Sequence, residues 1–202
     1  RRQRQMCIRD SFVTNIKPEH AKELVTCFDR LTFTAQAQEL IIHSAACRPY
    51  LLQIICSACG QYAADNRRSI LGATEVERVL RALTGEAEQK GIESISDTAF
   101  NQNLIFTRED NRGAFPAVIS LLCHKGRDGF LSYEELCRAW SSAGLQSSDL
   151  NTALNMLRDR EVIMAQEDEG RQGYAMRVPL FSRWWKHAHP NLNFDLNSVI
   201  RP

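Results

Sequence analysis

The residues of this chain that could do chemistry fall in three places. Cys47, Arg48, Pro49 and Tyr50 put a thiol and a guanidinium side by side ahead of a proline. Cys56 and Cys59 have the Cys-x-x-Cys spacing, and His187 and His189 are close enough in sequence to share a metal. Zinc needs four ligands, yet no second cysteine pair follows the first and no carboxylate adjoins the histidines. Cys56 and Cys59 also sit within an apolar stretch, Leu51-Leu52-Gln53-Ile54-Ile55, that reads as helix interior. Reduced core thiols are therefore the expectation for the cysteines, which points to a cytoplasmic location. His43 and His124 read as packed or capping residues. No catalytic residue and no metal ligand is assigned.

A different chemistry is suggested by Asn151, Thr152, Asn155 and Arg158, which lie along one helical segment, with Arg171 beyond it. Amide and guanidinium side chains at such positions could read base edges in a DNA groove. The surrounding charge opposes this. Residues 115–190 carry 9 basic and 9 acidic residues, and Glu167-Asp168-Glu169 would repel a phosphate backbone.

Helical periodicity dominates the elements that must position these residues. Pro18 and Glu19 mark a helix start, followed by a stripe of Ala21, Leu24, Val25 and Phe28. Further helices are predicted over 35–45, with Ala37, Leu40, Ile41 and Ser44 on one side, and over 49–64, burying Leu51, Leu52, Ile55, Cys59 and Tyr62. A fourth starts near Thr74, a candidate cap, with Val76, Val79, Leu80 and Leu83 inward. Residues 12–90 thus read as a small helical unit, with a boundary at 91–96. A helix over 97–106 is expected next, then one opening at Pro116 with Val118, Ile119, Leu121 and Leu122. Ser132 and Glu135 have capping-box spacing. Ser147-Ser148-Asp149 should cap a helix burying Leu150, Ala153, Leu154 and Leu157. The period then becomes extended at 162–164 and 174–178 around a polar stretch, 166–173, which reads as a β-hairpin. Pro179 opens a last helix with Leu180, Phe181, Trp184 and Trp185. One tryptophan is expected in the core, and the two together are a candidate partner surface. Residues 189–202 read as a tail. Helix, turn, helix and hairpin over 97–188 is the layout of a winged helix-turn-helix.

The first eleven residues, Arg1-Arg2-Gln3-Arg4-Gln5-Met6-Cys7-Ile8-Arg9-Asp10-Ser11, match the translation of a transposon-end sequencing adapter. The whole chain has 25 basic and 24 acidic residues; without residues 1–11 it has 21 and 23, a net of −2. Such a chain gains no long-range attraction toward phosphate. No apolar run approaches the ~20 residues of a membrane span. On this reading the chain is the C-terminal part of something longer.

Three stretches together resemble one family. They are Pro49-Tyr50-Leu51-Leu52-Gln53-Ile54-Ile55-Cys56, Leu154-Asn155-Met156-Leu157-Arg158-Asp159-Arg160-Glu161-Val162-Ile163, and Tyr174-Ala175-Met176-Arg177-Val178-Pro179-Leu180-Phe181-Ser182-Arg183-Trp184-Trp185. Over about residues 13–188 the chain resembles the C-terminal half of STAND-class P-loop ATPases, in their bacterial and archaeal branch. The resemblance implies a mainly α fold: an AAA-type helical lid bundle, then a winged helix-turn-helix with a small β-hairpin. It implies ATP or ADP with magnesium as cofactor of the intact parent, a nucleotide-binding domain preceding the lid in cis, and a protein effector as partner. The family's lid carries a Gly-x-Pro motif that closes over nucleotide. Cys47, Arg48 and Pro49 stand at the matching positions, with Tyr50 continuing the pattern. Cysteine replaces the glycine, which disfavours a close backbone approach. Arg48 could reach a phosphate instead, or simply face solvent. No Gly-x-x-x-x-Gly-Lys-Ser/Thr loop is present, so this fragment is expected not to hydrolyse ATP. The alternative expectation is a DNA-binding winged-helix regulator.

Overall fold

The computed structural model describes residues 15–27, 31–95, 114–126, 129–143 and 147–190. The chain is mainly helical with small sheets, and no described helix is long and apolar enough to cross a membrane.

Pro18 occupies the first turn of α1 (Pro18–Thr26), where its missing N–H leaves nothing unpaired. Ala21 and Val25 are buried, but Leu24 is 43% exposed, so the expected stripe is narrower than its spacing suggests. The helix packs against the next two helices and β1. Phe28 and the helix expected over 97–106 lie outside the described residues. Two short strands, β1 (Thr32–Phe33) and β2 (Ile70–Leu71), pair in parallel. Sequence patterning reveals neither strand, because two residues are too few to show a period. Between them run α2 (Ala35–Ala45) and α3 (Pro49–Asp65). Thr34 caps α2 by accepting from the Ala37 N–H at 3.3 Å. The fourth helix, α4 (Ala73–Leu83), is capped at Gly72 rather than Thr74. There the Glu75 carboxylate folds back to accept from the Gly72 N–H at 3.0 Å.

The second half begins with α5 (Ala114–Lys125), two residues ahead of Pro116. It continues with β3 (Phe130–Ser132), α6 (Tyr133–Ser142), α7 (Ser147–Asp159), β4 (Ile163–Asp168), β5 (Arg171–Met176) and α8 (Pro179–Ala188). The capping box of α6 forms as its spacing predicts. Ser132 Oγ accepts from the Glu135 N–H at 3.3 Å, and the Glu135 carboxylate accepts from the Ser132 N–H at 2.9 Å. β3, β5 and β4 form an antiparallel sheet in that order. The strand β3 had no hydrophobic alternation to reveal it, since all three of its residues are buried. The hairpin strands run through the polar stretch expected to be loop and turn at Glu169 (φ 51) and Gly170 (φ 74). Two left-handed residues match the right-handed twist of the strands. Hydrophobicity hides this extension because most of β4 faces solvent. A Cβ on Gly173 would collide with the Leu131 carbonyl oxygen, so only glycine lets β5 approach β3 there.

Buried apolar residues of the two halves belong to one hydrophobic cluster. Ile95, in the stretch read as a boundary, is buried in that core and donates its N–H to the Leu83 carbonyl at 2.8 Å. Helix α8 closes the junction, packing on α5 and α2. Trp184 and Trp185 are both buried, which removes them as an exposed partner surface. Trp185 Nε1–H donates to Ser120 Oγ at 2.9 Å, so the buried indole keeps its hydrogen bond.

Candidate functional site

The Cys47-Arg48-Pro49 segment sits where α2 ends against the second half. Ala46 and Cys47 both take left-handed backbone conformations, with φ of 49 and 56. The Cys47 N–H donates to the Ile42 carbonyl at 3.3 Å and the Ala46 N–H to the His43 carbonyl at 3.1 Å, closing the helix end. Cys47 thus occupies a backbone conformation that favours glycine, at a conformational cost of about 1–2 kcal/mol. Pro49 then opens α3 at its first position.

Arg48 turns away from solvent. Its Nη2 donates to the carbonyl oxygen of Glu161 at 2.7 Å, in the turn before β4. Its Nε is buried without a hydrogen-bond partner among the described residues. Burial pulls the guanidinium below its usual range, Glu161 opposes that, and Arg177 adds to it. Tyr50, by contrast, is 48% exposed. Arg48, Pro49 and Tyr50 therefore do not converge on one point: the cation joins the two halves and the phenol faces solvent.

A second cross-half contact carries more charge, and periodicity gave no sign of it. Arg183 on α8 donates to both oxygens of Glu77 on α4, at 2.9 and 3.1 Å, and to both of Glu86 in the following loop, at 2.9 and 3.1 Å. Burial alone would push the Glu86 carboxyl up, but hydrogen bonds from Arg183 and Thr84 hold it below the usual range. The same pairing outweighs burial at Arg183 and holds its guanidinium above its usual value. A cation three residues after the apolar Leu180 is ordinary on an amphipathic helix; only folding brings the two carboxylates to it.

Beside these contacts an open groove of about 710 Å³ separates α2 from the sheet and α8. Ile16, Ile42, Met164 and Met176 contribute apolar surface, while His43, Arg177, Arg183 and Lys186 supply the basic groups. Cys47 lies on its wall, and no carboxylate lines it among the described residues. Arg183 is already held by Glu77 and Glu86, and Arg177 lies 3.6 Å from Glu161, so Lys186 is the rim's main attraction for an anion, while the methionines adapt to shape.

The residues weighed for DNA reading lie elsewhere. Asn151, Thr152, Asn155 and Arg158 are all exposed on α7. Asn151 Oδ1 accepts from the Tyr133 hydroxyl at 2.9 Å, and Arg158 lies 3.7 Å from Asp159. Arg171 pairs with Glu135 at 3.8 Å and Glu169 at 3.6 Å. Only Asn151 and Arg171 of this set line a common groove, of about 830 Å³.

The thiols behave as core groups where they are buried. Desolvation pushes Cys56 up to about 12 and Cys123 to about 11, and raises Cys59 as well, so none is a thiolate near neutral pH. The six described cysteines are unpaired; Cys27 is exposed and Cys47 and Cys137 are half-buried, outside the core expected for them. His189 packs its ring 4.3 Å from that of Trp185. Among the described residues no three potential ligands are grouped to hold a metal ion.

No family model matches the chain, and no curated protein matches it in sequence.

Proposed function

We propose that this chain is the C-terminal part of a nucleotide-dependent regulatory switch of the STAND P-loop ATPase class. In this reading residues 12–90 belong to the lid and residues 97–188 form a winged helix that binds a protein effector. The single observation carrying it is the backbone at Cys47. That residue stands at the family's glycine position, holds a left-handed φ of 56, and lies on the wall of a groove with a basic rim. A nucleotide held by a preceding domain would present its anionic groups to such a rim. The order α5-β3-α6-α7-β4-β5-α8 with a β3-β5-β4 sheet supports the winged-helix part of the proposal. ATP and magnesium would be held chiefly by the P-loop domain, which this chain lacks.

The reading is tested by sequencing the unbroken gene and assaying both proteins. A P-loop some 150–250 residues upstream, a usual domain length, supports it. The chain alone should show no ATP turnover and little ATP affinity. Turnover by the chain alone, or an unbroken gene without a P-loop, overturns it.

A further inference from the structure

The zero net charge over residues 115–190 conceals a separation. Residues 129–176, which build β3, α6, α7 and the hairpin, carry eight acidic and four basic side chains. The basic residues that restore the balance fall in α5, α8 and the segments beside them.

The 830 Å³ groove opens on this acidic side, between the first turn of α6, the start of α7 and the hairpin. Tyr133 and Tyr174 line it together with Glu134 and Glu167. Tyr133 is 39% exposed, and its hydrogen bond to Asn151 pins the ring at the groove wall. Arg171, the one cation of the lining among the described residues, is offset by Glu135 and Glu169. Gln166 and Gln172 add amides able to meet a peptide backbone. The exposed Tyr133 and half-buried Tyr174 phenols, beside carboxylates that have no ion pair among the described residues, attract a cation through the ring quadrupole and through charge. A phosphate backbone at the same place would be repelled.

We propose that this groove docks an extended, arginine-bearing segment of a partner protein. The inference deepens the effector-binding role proposed above and rests on it. Guanidinium groups lie against Tyr133 and Tyr174 and are neutralised by Glu134 and Glu167.

The test uses the full chain and a fluorescent peptide of alternating arginine and alanine, followed by anisotropy at low salt. Binding should weaken by about tenfold in the double variant Glu134→Lys/Glu167→Lys, since two attractive contacts become repulsive. Glu88→Lys, an exposed reversal on the loop after α4, should leave binding unchanged. A peptide with glutamate in place of arginine should not bind. Thermal melts check that the variants fold, and Glu167→Lys alone, on the exposed strand, carries the comparison if the double variant does not. Equal weakening by Glu88→Lys, no binding by the parent chain, or tighter binding of duplex DNA at the same salt overturns the proposal. ATP turnover by the chain alone would overturn the nucleotide reading and leave this result standing.

Discussion

Arg183 grips Glu86 through two parallel hydrogen bonds, Nε–H to one carboxylate oxygen at 2.9 Å and Nη2 to the other at 3.1 Å. The pair ties the last helix to the loop that closes the first half. Glu77 shares the same guanidinium. One planar cation therefore fastens α8 to two separate points of the helical unit, across the shared core. This geometry needs the flat fork of arginine.

Replacing Arg183 with alanine should lower stability by about 2 kcal/mol, because two partly buried carboxylates lose a charged partner. Arg183→Lys should restore only part of the loss, since an ammonium cannot serve both carboxylates in parallel. Urea unfolding followed by circular dichroism measures both. No change in midpoint for Arg183→Ala would show the contact to be energetically silent.

Acid should weaken the same junction. The Glu86 carboxyl titrates below its usual value in the folded chain. A depressed carboxylate stabilises the fold above its unfolded value of about 4.3, and that contribution is lost as pH falls through the lower folded value. The urea midpoint should therefore fall below about pH 4.3, and Glu86→Gln should flatten that fall while lowering the plateau near neutrality. Parallel pH profiles for the parent and the variant would not fit this account.

Cys47→Gly should raise stability by about 0.5–1 kcal/mol, since glycine adopts the left-handed backbone without steric cost but loses more freedom on folding. Cys47→Val should destabilise, because a β-branched residue tolerates φ of 56 poorly. Differential scanning calorimetry of the pair gives the sign directly. A destabilised glycine variant would mean that the half-buried thiol contributes packing that outweighs the strain.

Arg48→Ala should loosen the turn before β4. Its hydrogen bond to the Glu161 carbonyl is charge-assisted and about 1.5–3 kcal/mol is typical of such bonds. Amide exchange at residues 160–163 should accelerate more than exchange in the interior of α3. Uniform acceleration across the chain would instead indicate global destabilisation.

The helices were legible in the residues themselves. Pro18, Pro49 and Pro179 each open one, the Ser132–Glu135 box opens another, and the apolar stripes of α2, α3, α4 and α7 fall on the core as their spacing predicts. Local rules suffice there, because a proline ring, a capping side chain and a periodicity of 3.6 act over a few neighbouring residues. The strands were harder: β1, β2 and β3 are short and lack alternation, while the solvent-facing part of β4 is polar on both sides of its pleat.

Interactions between residues far apart in the chain could not be read this way. Arg48 meets Glu161, and Arg183 meets Glu77 and Glu86, across roughly a hundred residues whose path no local rule specifies. The left-handed backbone at Cys47 needed the packing of α2 against its neighbours to become visible. Charge followed the same division. Composition settled the sum over residues 115–190 at zero, but folding sorted it into an acidic groove beside Tyr133 and Tyr174 and a basic rim beside Cys47. Totals are additive over a sequence, whereas fields depend on where the chain places each charge.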